Sequence, residues 1–80
     1  MSNADKLFKE LGYKKLETDF YINYSKEYET HTAYIEFNNA QKLICTLVKL
    51  NEPKAKNVWQ SFNAQKIKAI YLKCEELRLV

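Results

Sequence analysis

His31 is the one histidine of this 80-residue chain, and it stands in Thr30-His31-Thr32 with Glu29 two residues before it. An imidazole works as a general base only with a nucleophile or an orienting carboxylate in hydrogen-bond reach. Glu29 shares its strand parity and nothing else in the pattern completes such a set, so His31 reads as a solvated or sheet-edge residue. Cys45 and Cys74 lie far apart and form no CxxC pair, which points to two reduced core thiols. The acids are scattered, with no paired carboxylates and no spacing that would hold a metal. With Gly12 as its single glycine, the chain lacks a phosphate-cradling loop. These residues predict a non-enzymatic protein with no cofactor and no metal.

Two kinds of binding chemistry remain. Residues 42–73 carry seven lysines against Glu52 alone, although the whole chain has a net charge of only +3. Lys54, Lys56, Lys66 and Lys68 bracket Trp59, a set that could neutralise phosphates and stack a base. Arg78 is the one arginine, however, and arginine supplies most bidentate base contacts. Weak nucleic-acid binding through the lysine-rich loop and the last helix is therefore the second reading. The first is protein contact. Between Tyr13 and Phe37, seven aromatic residues are interleaved with polar ones at a period near two, as in a half-buried antiparallel sheet. Tyrosine offers rigid area with a polar tip, the usual material of interfaces. Tyr21 and Tyr34, with Leu72 and Leu79 on the expected wet side of the last helix, are the candidate interface residues of a homodimer or of a contact with another protein.

The elements that must position these residues follow from periodicity. Ala4, Leu7, Phe8 and Leu11 make one apolar stripe, which predicts a helix over Ala4–Leu11 capped by Asn3 or Ser2. Asp5–Lys9 and Lys6–Glu10 fall on its outside, and Gly12 stands where a left-handed residue ends the helix. A short strand over Tyr13–Leu16 follows. The next, Phe20–Lys26, sets Phe20, Ile22 and Tyr24 against Tyr21, Asn23 and Ser25. Thr30–Asn38 sets Ala33, Ile35 and Phe37 against Thr32, Tyr34 and Glu36. Asn38-Asn39 suits a hairpin turn. Lys42–Leu50 is apolar on both faces, so it is either central or covered by a partner. Its register, and hence which face is buried, stays open. Asn51–Gln60 is irregular. Asn63 caps a final helix over Ala64–Leu77 with Phe62 and Ile67 placed to form a staple. Its expected buried stripe is Ala64, Ile67, Ile70, Tyr71, Cys74 and Leu77; Lys68, Lys73 and Glu76 are its wet side.

Leu7-Phe8-Lys9-Glu10-Leu11-Gly12-Tyr13, Tyr34-Ile35-Glu36-Phe37, Lys68-Ala69-Ile70 and Lys73-Cys74-Glu75-Glu76-Leu77 resemble a group of small phage and prophage proteins of low-GC Gram-positive bacteria. That group has no assigned activity, so the resemblance implies only a phage or host-takeover setting. The combined expectation is a single α+β domain over residues 1–80. A helix, a three- to four-stranded antiparallel meander and a second helix follow in order, with both helices on one sheet face. No apolar run reaches the length of a bilayer span and Met1 leads into a polar start, which favours the cytoplasm.

Overall fold

Ser2 opens the chain's first helix by accepting a hydrogen bond from the Asp5 N–H at 3.0 Å, one of the orphan donors of a helix start. The computed structural model describes residues 2–51 and 60–79. Its elements are α1 (Asn3–Glu10), β1 (Lys14–Glu17), β2 (Tyr21–Glu27), β3 (His31–Asn38), β4 (Leu43–Leu50) and α2 (Ala64–Glu76). The four strands form one antiparallel sheet in the order β1-β2-β3-β4, a simple meander, and this is the α+β architecture that the periodicities predict.

Both helices lie on the sheet face that carries Ile22 and Tyr24 of β2 and Ala33, Ile35 and Phe37 of β3. Phe8 of α1 stacks on Tyr24 with centroids 3.9 Å apart, and edge-on contacts tie Phe8 and Tyr24 to Phe37. Tyr13, Ile35, Ala69 and Cys74 complete this core. Aromatic pairs in these geometries add about 0.5–1.5 kcal/mol each beyond the area they bury.

The two helices end in the same way. After α1, Gly12 takes φ +92°, its N–H donates to the Lys9 carbonyl, and the Tyr13 N–H donates to the Phe8 carbonyl. After α2, Arg78 takes φ +57°, its N–H donates to Glu75, and the Leu79 N–H donates to Cys74. Both are Schellman motifs, which turn the residue after the left-handed one back onto the helix. That is why Tyr13 is buried and why Leu79 packs against the core. The placement of Leu79 on the wet side is thereby corrected: the helix it was projected along has already ended.

Other expectations also shift. Phe20 lies in the β1–β2 turn and is 72% exposed, because pairing begins only at Tyr21. In the β3–β4 turn Asn38 Oδ1 accepts from the Gln41 N–H, and the residue with positive φ is Lys42 rather than an asparagine. The α2 stripe is rotated. Ala69, Lys73 and Cys74 are buried, while Ile67 and Tyr71 face outward. Lys73 is only 4% exposed, because its ammonium is taken up by Asp5 of α1 and Glu76 of its own helix, each at 3.2 Å. The strand that is apolar on both faces, β4, is an edge strand and not a central one.

Candidate functional site

Among the described residues, no element covers the sheet face away from the helices. Strand parity and register place Leu16 of β1, Tyr21, Asn23 and Ser25 of β2, Tyr34 and Glu36 of β3, and Leu43, Cys45, Leu47 and Lys49 of β4 on it. Leu16, Leu43 and Leu47 are 60%, 50% and 62% exposed, and Tyr21 and Tyr34 are half-buried among them. A shallow groove of about 480 Å³ runs along β3 and β4, lined by Asn23, Tyr34, Glu36, Cys45, Leu47 and Lys49, with Thr46 at its side. Cys45 is exposed there, so only Cys74 fits the expectation of buried thiols; burial pushes the Cys74 thiol above its ordinary pKa.

The sheet brings Tyr21 and Tyr34 to one face, as strand parity predicts. It does not bring Leu72 and Leu79 there. Leu72 is a half-buried residue of α2, and Leu79 belongs to the helix side of the core. Of the lysine and tryptophan set, Lys54, Lys56 and Trp59 lie outside the described residues. Lys68 is exposed on α2, and Lys66 donates to the Ser61 carbonyl at 3.1 Å. His31 stacks on Tyr28 with centroids 4.6 Å apart and its Nδ1 lies 3.0 Å from Thr30 Oγ1. Among the described residues, no group of three or more His, Cys, Asp or Glu side chains is arranged to hold a metal ion.

One polar cluster escapes the sequence reading. Asp5, expected to pair outward with Lys9, instead accepts from the Tyr24 hydroxyl, from Lys15 at 2.9 Å and from Lys73 at 3.2 Å. Glu76 joins it by accepting from Lys73 and from the Ala4 N–H. Burial alone would raise the Asp5 carboxyl, but the hydrogen bonds from Tyr24, Lys15 and Lys73 outweigh it and hold the group well below the usual carboxylate range. Burial, reinforced by the Asp5 charge, pushes the Tyr24 phenol above its ordinary value. Acid–base work near neutrality needs groups poised near neutrality, and these shifts move both groups away from it. The signal for this cluster in the sequence is only faint: at 100° per residue Lys73 falls at the margin of the Ile70, Cys74 and Leu77 stripe, a place where a lysine ordinarily reaches water.

Comparison with protein-family models, with curated proteins and with solved structures finds no match.

Proposed function

We propose that this protein works by protein contact and associates with itself, without a catalytic step of its own. The observation that carries the reading is the open sheet face, where Leu16, Leu43 and Leu47 stand exposed beside Tyr21 and Tyr34. A small domain gains stability by covering such a surface, and the exposed leucines on the two edge strands flank a centre where Tyr21 and Tyr34 stand among Asn23, Ser25 and Glu36, the mixture of aromatic and polar groups that interfaces use. The resemblance to phage and prophage proteins supports a phage-related accessory role, carried out in the cytoplasm by contact with its own copy or with another phage or host protein. Among the described residues, no helix is long and apolar enough to cross a membrane.

Multi-angle light scattering of the full chain over a range of concentrations tests the reading. The expected result is a dimer that Tyr34→Glu weakens, since a carboxylate beside Leu47 would have to be desolvated. A monomer at every concentration, in both proteins, removes self-association. Titration of single-stranded and duplex DNA at two salt concentrations decides the competing reading. Micromolar binding that weakens steeply with salt would favour nucleic acid through the lysine-rich segment.

A further inference from the structure

The two edges of the sheet are built differently. The β1 edge is four residues long and carries Lys14, Lys15 and Glu17, the short and charged form that discourages pairing with another chain. The β4 edge runs for eight residues, Leu-Ile-Cys-Thr-Leu-Val-Lys-Leu, with one charge, no proline and no bulge in its pairing to β3. Its outward groups can be assigned. The Asn51 N–H donates to the Thr30 carbonyl at 3.0 Å, and an antiparallel ladder alternates, so the odd-numbered residues of β4 bond to β3. The N–H and C=O groups of Ile44, Thr46, Val48 and Leu50 therefore point away from the sheet. Among the described residues, none hydrogen-bonds to them. Both faces of the strand are apolar, with Leu43 and Leu47 on one side, Ile44 and Leu50 on the other, and all four exposed. That pattern suits a strand with neighbours on both edges.

We propose that β4 pairs antiparallel with β4 of a second copy, across a two-fold axis at Leu47, joining the two sheets into one. This rests on the self-association reading above and names the partner and the seam. The outward groups permit only registers centred on a residue, since even positions must face even positions. Centring on Leu47 sets Thr46 against Val48 and Ile44 against Leu50 of the other copy, so every outward backbone group of β4 is satisfied. On the open face it makes one apolar row, Tyr34–Leu47–Leu47–Tyr34, across the seam.

Charge selects this register over its neighbours. Centring on Leu47 places Lys49 opposite Cys45 of the other copy, and the β3 neighbour of Cys45 is Glu36. Two strand spacings separate Lys49 from that Glu36, about 10 Å, which a lysine and a glutamate reaching over a small thiol can span. Symmetry makes the pair twice. Among the described residues, neither Glu36 nor Lys49 has an ion-pair partner within its own chain. Centring on Thr46 would set Lys49 against Leu43, whose β3 neighbour is the uncharged Asn38. Centring on Val48 would set it against Leu47, whose β3 neighbour is Tyr34. Centring on Cys45 would set Lys49 against residue 41, beyond the end of the strand.

Sedimentation equilibrium of the full chain, its variants and a cysteine-exchanged form tests the seam. The native chain is expected to be a dimer. Thr46→Pro removes an outward N–H that bonds to none of the described residues of its own chain, so it should give a monomer with unchanged far-ultraviolet circular dichroism. Lys49→Glu and Glu36→Lys should each weaken the dimer about tenfold, and the double exchange should restore it to within about threefold. In a Cys45→Ser background, Leu47→Cys should form an interchain disulfide under mild oxidation, because facing residues of a non-hydrogen-bonded pair lie about 4.5 Å apart. A folded Thr46→Pro protein that stays dimeric overturns the seam while leaving self-association standing. If Thr46→Pro does not fold, the charge exchange decides, and a double variant no better than the singles overturns the proposal. Ready crosslinking through native Cys45 overturns the register. A native chain that is monomeric at all concentrations overturns both the seam and the reading beneath it.

Discussion

Asp5 is where α1, α2, β1 and β2 meet, through its own helix, Lys73, Lys15 and the Tyr24 hydroxyl. Its folded-state pKa is depressed because those three donors outweigh the cost of burial. A group of that kind contributes stability that is complete above the usual carboxylate range and is lost as pH falls through it toward the depressed value. The midpoint of thermal unfolding should therefore drop steeply between about pH 5 and pH 2. Asp5→Asn should lower stability at pH 7 by about 1–3 kcal/mol, since Lys73 stays buried with only Glu76 to answer it. The same variant should flatten the acid limb of the profile. Thermal scans of both proteins across that range check this, and parallel profiles would show that other carboxylates carry the acid sensitivity. Tyr24→Phe keeps the stack on Phe8 and removes only the hydroxyl, so a loss of about 1 kcal/mol is expected.

The helix ends show what a single element demands of one residue. Gly12 and Arg78 occupy the same left-handed position of the same motif, yet only Gly12 does so without a Cβ. Arg78→Gly should stabilise the protein by about 0.5–1 kcal/mol, the relief of left-handed strain less the entropy glycine adds to the unfolded chain. Gly12→Ala should cost about 1–2 kcal/mol, and its new methyl would meet the Lys26 side chain at 3.3 Å. That same lysine donates to the Leu11 carbonyl and so helps close α1. Urea titrations check both signs, and a destabilised Arg78→Gly would show that the arginine side chain contributes more than its backbone costs. Elements whose order depends on local pattern are legible in the amino-acid sequence alone. The α1 stripe, the Gly12 stop and the alternation of β2 and β3 all follow from the identity of near neighbours. The rotation of α2 is not legible there, because it answers to an ion pair with Asp5 that is 68 residues away in sequence. Phe20 continues an alternation that pairing does not continue. The parity that places Tyr21 and Tyr34 on one face is legible, whereas β4, apolar on both sides, gives a period-two reading nothing to choose between.

At the scale of the whole molecule, a seam through β4 would make folding and assembly one event. The described core is gathered on β2 and β3 under the helices, and β4 contributes no fully buried residue to it. An edge strand so placed stabilises the sheet mainly if something pairs with it, and a second copy would satisfy its outward backbone groups and set apolar side chains beside its own. Mass action then ties stability to concentration. If the dimer persists up to the unfolding transition, each hundredfold rise in protein concentration adds about 1.4 kcal/mol per protomer. For a domain of this size that should raise Tm by about 5–10 °C. Thr46→Pro should abolish the concentration dependence and unfold at a lower, fixed temperature. Scans of both proteins across two decades of concentration measure the slope directly. A native Tm that does not move with concentration, in a sample shown to be dimeric at room temperature, would mean that the copies separate before either unfolds and that β4 holds its place in the monomer without help.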